Sequence, residues 1–359
     1  MGKRNRSITD KVRSYIRLSL KRQREGHISA LRQAAEMLVI FILTGNGPGF
    51  YHMAGFWRRD ISWRDKLGHL GASGYRKRLK EINPLEYRKI YQNKLSEKGL
   101  LLLLGLPTQR FLGFLHHRNG RTCSGAPLKN SDDLSVLLAA EQHGRVCFKQ
   151  VEGWAGKGFE VVDIVDRSGE LTVTTQSDKC TLDIPAFCAS HINTREAGGM
   201  LIETYLEQHP SIAAFNPSSV NTFRIWVIQR QGEPSRVVLA YLRIGREGSL
   251  VDNQSSGGVV APIDIDTGIT GCAIDGLSER VLFPTHPDHG AVIEGKRLPF
   301  WAESVALAES SLNTVPGLGF AGMDIAVAKQ GPVILEMNPC PDREGAAFTD
   351  MPTKRIFGC

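Results

Sequence analysis

Two patterns of apolar positions divide the chain near residue 107. Over residues 8–41 apolar side chains recur every three or four positions, and this spacing predicts amphipathic helices. A Gly-, Asn- and Pro-containing cluster at 44–49 ends that pattern. Residues 50–79 mix aromatic and basic side chains without a clear period, and Pro and Glu early in 83–98 predict a further helix there.

After residue 107 the pattern changes to short runs that are rich in β-branched and aromatic residues. We expect strands at 146–149, 159–165, 171–175, 222–229, 237–244, 259–265 and 333–337. We expect helices between them at 131–142, 193–198 and 301–312. Because strands and helices do not alternate strictly, the order of elements favours an α+β architecture over a doubly wound sheet.

The net charge of +7 is distributed unevenly along the 359 residues. Residues 1–128 carry 25 basic and 8 acidic side chains, whereas residues 129–359 carry 19 and 29. This division argues against a uniformly basic coat protein for nucleic acid, so nucleic acid is not expected as a partner. For the basic front, attachment to a membrane surface or nucleic acid competes with a solvated helix docked on the acidic body. We favour the docked helix.

The apolar runs and the cysteines indicate the compartment. The longest uninterrupted apolar runs, 37–43 and 100–104, are far below the roughly 20 residues that a transmembrane helix needs. Neither a spanning segment nor a signal peptide is therefore expected. Seven cysteines without a Cys-x-x-Cys pair are consistent with reduced thiols, so we expect a cytoplasmic location.

A glycine-rich loop between two predicted strands is the first candidate for chemistry. Lys149 ends one strand, and Gly153, Gly156 and Gly158 follow it. Glycines let successive backbone N–H groups approach an anion, and a lysine beside them adds a charge for phosphate. The loop is neither a Walker A motif nor a dinucleotide fingerprint, and a plain β-turn is the alternative interpretation.

Three oxygen-bearing side chains near the end of the chain form the second candidate. The turn at Gln330-Gly331 predicts a hairpin that pairs the strands carrying Asp324 and Glu336, and Asn338 lies two residues beyond Glu336 on the same face. Oxygen ligands converging on one sheet face are typical of Mg²⁺ that bridges nucleotide phosphates. Two carboxylates on a solvated hairpin are the alternative.

Together these motifs resemble the ATP-grasp superfamily. The run 207–224, with 251–258 and 285–287, is similar in particular to the sugar-transfer-associated ATP-grasp family, and the resemblance covers about residues 83–345. It implies an α+β ATP-grasp fold, with two subdomains gripping ATP, behind a mainly helical, basic N-terminal region. The expected divisions are this helical region at 1–82, a linker helix and first strand at 83–128, a lid subdomain at 129–205 and a C-terminal subdomain with the metal-binding strands at 206–359.

The resemblance implies a role for individual residues. Lys94 and Lys149 would contact the α- and β-phosphates, the loop at 152–158 would cover the triphosphate, and the segment around Glu203 would contact adenine. Glu207 or His209 would reach the ribose. The residues expected to bind ATP are Lys94, Lys149, Glu152, Gly153, Gly156, Gly158, Glu203, Tyr205, Leu206 and His209.

The same resemblance assigns the metal and the transferring phosphate. Asp324, Glu336 and Asn338 match metal-binding positions for Mg²⁺, with Mn²⁺ as the alternative ion. Arg224 and Arg243 lie on two predicted strands, and arginine grips phosphate and carboxylate with two parallel hydrogen bonds. We assign these two arginines to the γ-phosphate or acyl phosphate. Asn253, in a polar loop, is a donor to the transferring phosphate or simply part of a turn.

The implied activity is ADP-forming ligation of a carboxylate and an amine through an acyl phosphate. The expected partners are a small-molecule or peptide carboxylate and an amine acceptor, a homodimer is one expected assembly, and the expected context is a natural-product or polysaccharide-related pathway. An ATP-dependent small-molecule kinase and a non-catalytic nucleotide-binding partner of a biosynthetic complex are the alternatives. Release of ADP without phosphate would identify the kinase.

Overall fold

The computed structural model describes residues 7–141, 144–153, 156–167, 170–192 and 198–358. All but the last residue of the helix predicted at 193–198, and residues 154 and 155 of the glycine-rich loop, lie outside these ranges. Among the helices that are described, none has the length and apolar character needed to cross a bilayer.

Five helices form the described part of the N-terminal region, where the sequence predicted one helical stretch and an unpatterned one. They are α1 (Ile8–Arg24), α2 (Ala30–Thr44), α3 (Pro48–Met53), α4 (Trp63–Leu67) and α5 (Ala72–Ile82). The hydroxyl of Ser7 accepts the backbone N–H of Asp10 in α1, and that of Ser29 accepts the N–H of Arg32 in α2. Gly45 ends α2 in a left-handed conformation. The mainly helical character that we expected for this region is confirmed, and it extends through residues 50–79.

Two helices replace the single one predicted at 83–98. Helix α6 (Leu85–Gln92) and helix α7 (Lys94–Leu103) meet at Asn93. The extended backbone of Asn93 ends α6, and its side chain accepts a hydrogen bond from the N–H of Ser96, which caps α7. The break therefore gives α7 its own first turn, with Lys94 at its first position.

The first sheet contains seven antiparallel strands in the order β2-β1-β7-β3-β4-β5-β6. The strands are β1 (Phe111–Leu115), β2 (Arg121–Thr122), β3 (Arg145–Gln150), β4 (Glu160–Arg167), β5 (Glu170–Thr175), β6 (Thr181–Asp183) and β7 (Met200–Thr204). Helices α8 (Ser131–Ala140) and α9 (Ile184–His191) pack on one face of this sheet. Alternation along β3 buries Val146 and Phe148 under these helices, so Cys147 and Lys149 lie on the opposite face.

The second sheet also contains seven antiparallel strands, in the order β12-β11-β10-β9-β8-β13-β14. They are β8 (Thr222–Ile228), β9 (Arg236–Ile244), β10 (Val259–Pro262), β11 (Ala273–Ile274), β12 (Leu282–Phe283), β13 (Phe320–Ala328) and β14 (Gly331–Asn338). The remaining helices are α10 (Pro210–Ala213), α11 (Trp301–Thr314), α12 (Glu344–Phe348) and α13 (Thr353–Phe357).

Helices cover both faces of the second sheet. Helix α11 packs with α6 and α7 on one face, where Phe223, Ile225 and Leu242 are buried. The N-terminal helices and α12 pack on the other face, against Trp226 and Phe320. The basic N-terminal region therefore shares a hydrophobic core with the second sheet.

Candidate active site

A row of four polar side chains crosses the central strands of the second sheet. Tyr241 on β9 pairs with Arg224 on β8, Arg224 pairs with Asp324 on β13, and Asp324 pairs with Glu336 on β14. The residues that flank Arg224 along β8 and Asp324 along β13 are buried among apolar side chains on the opposite face of the sheet. Alternation along β8, β9 and β13, together with a register shift beside Asp324 in its pairing with β14, brings these polar groups to a single face, the arrangement predicted for Asp324 and Glu336.

This row forms one wall of a cavity of about 820 Å³ that is lined by residues of both sheets. Lys149, from the first sheet, and Lys94, at the start of α7, line the cavity together with Arg224 and Arg243 of the second sheet. Asp324, Glu336 and Asn338 also line it. With Lys157 and the carboxylates of Asp252, Asp275, Asp342 and Glu344, five basic side chains and six carboxylates of the described residues line this one space.

Asp324 is the centre of an ion-pair network within the cavity wall. Arg224 contacts both carboxylate oxygens, through its Nε and through its Nη2 at 2.8 Å from Oδ2, and Arg243 Nη1 donates to the same Oδ2 at 2.8 Å. Burial opposes ionisation of Asp324, but the two guanidinium groups outweigh it and hold the pKa of this carboxyl below its ordinary value. Asp324 consequently fixes the position of both arginines.

A second carboxylate holds the other end of Arg243. Arg243 Nη2 lies 2.9 Å from Asp252 Oδ1 and also contacts Asn253 Oδ1. The pKa of Asp252 is raised by burial, although Arg243 acts in the opposite direction. The sequence left two roles open for Asn253, a donor to the transferring phosphate or part of a turn. In this arrangement its side-chain oxygen accepts a hydrogen bond from Arg243.

The two predicted phosphate lysines have different environments. Lys149 Nζ donates to Glu203 Oε2 at 2.6 Å and to Gln109 Oε1 at 2.9 Å. Burial acts to lower the pKa of Lys149, but Glu203 outweighs it, so the pKa lies above its ordinary value. Lys94 Nζ donates to the backbone oxygen of Gly153 at 2.8 Å and so contacts the glycine-rich loop.

Lys98 is a basic residue near the site that was not predicted from the sequence. Its ammonium contacts Glu203 Oε1 and donates to the Gln109 carbonyl at 3.2 Å. Its spacing of four from Lys94 places both lysines on one side of α7, which was the available signal. Glu203 is therefore buried between two ammonium groups, and its contact with adenine stays a prediction.

Glu97, on the same helix, is a second residue that we did not predict. Its carboxyl is buried and accepts the backbone N–H of Met337, the residue after Glu336. Burial, followed by repulsion from Glu336, raises the pKa of Glu97 well above its ordinary value. Glu97 thus attaches α7 to β14 where the row of polar side chains ends.

The remaining residues predicted to bind ATP divide into two groups. Gly153, Gly156 and Tyr205 line the cavity. The other five are absent from the cavity wall that the described residues form. They are Glu152, Gly158, Glu203, Leu206 and His209.

Glu203 is held by Lys98 and Lys149, and three of the other four have these positions in the structure. Glu152 lies 3.2 Å from Lys89 on the exterior, and Leu206 is buried. His209 caps α10, where its Nδ1 accepts the Ser211 N–H, because Pro210 starts that short helix. The roles of Glu152, Leu206 and His209 in nucleotide binding stay predictions.

The donor set at the end of the row fits a hard divalent cation. A carboxylate has about four acceptor positions, and Asp324 uses three of them for the two arginines. Glu336 forms no ion pair with another described residue, and Asn338 Oδ1 accepts the Cys340 N–H at 2.8 Å. Among the described residues no three His, Cys, Asp or Glu side chains cluster around one point, so a metal here would also need ligands from phosphate or water.

Comparisons with known proteins agree with this architecture. The family described as sugar-transfer associated ATP-grasp matches residues 75–356, and the chain therefore belongs to that family. This confirms the resemblance and the α+β ATP-grasp fold that the sequence motifs indicated. No match was found among curated protein sequences.

Several solved structures are similar to this chain at low identity. Biotin carboxylase from Campylobacter jejuni, in a β,γ-ATP complex, is 12% identical over 75% of this chain and 46% of its own, with a TM-score of 0.41. N5-carboxyaminoimidazole synthetase from Staphylococcus aureus with ADP is 12% identical over 76% and 53%, with a TM-score of 0.41. D-alanyl-alanine synthetase A from Vibrio cholerae is 12% identical over 70% and 56%, with a TM-score of 0.37. The aligned part is thus about half the length of each of these chains.

Proposed function

We propose that this protein is an ATP-dependent ligase that joins a carboxylate to an amine through an acyl phosphate. The observation that carries the proposal is the cavity in which Lys94, Lys149, Arg224 and Arg243 face the carboxylates of the second sheet. Membership of the ATP-grasp family supports ATP as the phosphate source. The description of that family as sugar-transfer associated supports a polysaccharide-related or natural-product pathway as the context.

The chemistry of phosphoryl transfer explains why these side chains are suitable. Transfer of the γ-phosphoryl group to a carboxylate spreads negative charge over the phosphate oxygens, so catalysis depends on positioning and charge neutralisation. Lys94 and Lys149 would neutralise the α- and β-phosphates. Arg224 and Arg243, which Asp324 holds in place, would contact the γ-phosphate and then the acyl phosphate.

Magnesium is the metal that this donor set would hold, with manganese as the alternative. Glu336, Asn338 and the remaining acceptor position of Asp324 would be its protein ligands. When bound, the ion neutralises charge on the nucleotide phosphates.

The balanced reaction has two steps. A carboxylate oxygen of the substrate attacks the γ-phosphorus, the bond to the β-phosphate oxygen breaks, and ADP leaves. An amine nitrogen then attacks the acyl carbon, releases phosphate and loses a proton, which gives an amide. The two cationic arginines stay beside the phosphate group in both steps.

The test is an assay of the purified chain with Mg-ATP and a panel of acids and amines, in which ADP, phosphate and product mass are followed. We expect equal amounts of ADP and phosphate with the correct pair of substrates. Glu336→Gln and Arg224→Met should each lower kcat at least about 100-fold, since each removes a group that interacts with the transferring charge. Glu303→Gln, an exposed change on α11, is the matched control.

Two results would contradict the proposal. Formation of ADP with a phosphorylated product and no free phosphate would identify a kinase. A chain that binds ATP but gives no ADP with any pair of substrates, and whose ATP binding is unchanged in Glu336→Gln, would point to a non-catalytic nucleotide-binding protein.

A further inference from the structure

Helix α2 is oriented with its polar residues inward. Gln33 is fully buried, and its amide donates to the carbonyl oxygens of Ile28 at 2.8 Å and Ser19 at 3.2 Å. Glu36, also buried, accepts hydrogen bonds from Lys66 Nζ at 2.6 Å and from the Tyr51 hydroxyl at 2.9 Å. The orientation of α2 on the body is therefore set by these polar bonds.

The outer side of α2 is apolar. Ile42 is 71% exposed, Leu43 is 62% exposed and Phe41 is 57% exposed. Helix α1, which packs against α2, exposes a stripe of apolar residues at a spacing of four. We define the apolar face as Val12, Ile16 and Leu20 of α1 with Leu31, Leu38, Val39, Phe41, Ile42 and Leu43 of α2. A cluster of this kind differs from the single apolar residues that most surfaces expose, and it indicates an interaction site.

Basic side chains lie beside this face on α1. Arg13, Arg17 and Arg24 are exposed, and none of them forms an ion pair with another residue that the structure describes. Lys21 is exposed as well, and its nearest carboxylate oxygen, on Glu25, is 3.9 Å away. The surface is thus apolar on α2 and positively charged along α1.

We propose that the apolar face and this row of arginines bind the surface of a membrane that contains anionic phospholipids. A helix with an apolar side and a basic side lies in the interface of a bilayer, where the apolar side chains enter the boundary of the acyl chains and the cations contact lipid phosphates. Helix α2 has 15 residues, fewer than the roughly 20 needed to span, so it lies in the interface.

The positive charge beside the apolar face favours an anionic membrane over a second copy of the chain as the partner. In a two-fold dimer the same patch of each copy forms the interface, so the arginine rows that border the apolar face would be brought towards each other. Like charges in an interface are unfavourable, whereas anionic headgroups neutralise them. The proposal concerns attachment and is independent of the ligase activity.

The test uses the full chain in flotation with vesicles of phosphatidylcholine alone or mixed with phosphatidylglycerol. We expect binding to the mixed vesicles and little to phosphatidylcholine alone. Leu38→Gln, Phe41→Gln and Ile42→Gln combined should weaken binding at least about 100-fold, because three large apolar side chains leave the interface. The matched control combines Leu103→Gln, Val136→Gln and Leu282→Gln, which are exposed on other elements.

A charge series tests the basic row separately. Arg13→Gln, Arg17→Gln and Arg24→Gln combined should weaken binding roughly 100-fold at low salt, and high salt should weaken the wild type in the same way. Arg118→Gln, Lys129→Gln and Arg236→Gln combined form the control, since these cations are exposed elsewhere.

Specific results would overturn the proposal. Wild-type binding by the α2 variant, or equal binding to both kinds of vesicle, would exclude the apolar face or the requirement for anionic lipid. Sedimentation equilibrium provides an independent measurement. If the wild type forms a dimer that the α2 variant dissolves, and neither binds vesicles, the face belongs to a second copy. Thermal unfolding of each variant close to that of the wild type shows that a loss of binding is not a loss of folding.

Discussion

The substitution Asp324→Asn separates the structural role of this carboxylate from a role in metal binding. In the wild type, Arg224 and Arg243 make three hydrogen bonds to Asp324, and all three side chains are largely buried. Asparagine keeps the size but removes the charge. Arg224 then has no carboxylate partner in the network, and Arg243 keeps only Asp252.

The expected loss of stability can be worked out from this geometry. Removal of one partner from a buried ion pair typically costs about 3–5 kcal/mol, because the other charge remains buried. Unfolding of a chain of 359 residues has an entropy of about 2.1 cal/mol/K per residue, so 1 kcal/mol corresponds to roughly 1.3 °C in Tm. Differential scanning calorimetry should therefore show a fall of about 4–7 °C.

Glu336→Gln is the comparison, because Glu336 faces the same cavity without an ion pair to a described residue. It should unfold within about 1 °C of the wild type while activity is lost. The pKa of Asp324 is lower in the folded protein than in the unfolded chain, where it is about 3.9. The contribution of Asp324 to the free energy of unfolding is therefore fully present above the unfolded pKa, and it is lost as the pH falls through the folded one. An Asp324→Asn variant as stable as the wild type near neutral pH would refute this reasoning.

Three further predictions concern α7 and the glycine-rich loop. The raised pKa of Glu97 means that the wild type loses stability as the pH rises above the pKa of this carboxyl in the unfolded chain. Glu97→Gln should therefore flatten the fall of the urea midpoint with rising pH, and an unchanged slope would contradict this. Lys98→Met should lower the free energy of unfolding by about 3 kcal/mol in urea titrations, because it removes one of two cations from buried Glu203; no loss would show that the pair contributes nothing. Gly156 has φ of +71°, and an added Cβ would lie 2.9 Å from a valine methyl group, so Gly156→Ala should raise the KM for ATP several-fold. The control is Gly232→Ala, where φ is +79° and the space is open, and it should leave the KM unchanged.

The sequence predicted those parts of the site that depend on local signals. Asp324 and Glu336 are twelve residues apart with a turn between them, so the hairpin could be derived from the sequence. The face they share also depends on a register shift between Asp324 and Ile325, which alternation alone does not predict. The contact between Arg224 and Asp324 joins residues 100 positions apart. It depends on β8 lying beside β13, and strand order across a sheet leaves no local pattern in a single sequence.

The helices at 50–79 were missed for a different physical reason. Helices α3 and α4 have six and five residues, too few to show a period. Four consecutive residues of α3, from Phe50 to Met53, are all buried, so no exposed polar side alternates with an apolar one. The ion pair between Glu203 and Lys98 was not predicted because Lys98 lies on a helix far along the chain.

The ammonium group of Lys94 donates a hydrogen bond to the Gly153 carbonyl of the glycine-rich loop, and the same side chain lines the cavity. An anion that takes this ammonium as its own partner competes with the loop carbonyl for it. The free energy of the hydrogen bond between Lys94 and the loop then reduces the free energy with which the cavity binds the anion. Changes that loosen the loop would tighten anion binding, even at positions that never touch the anion.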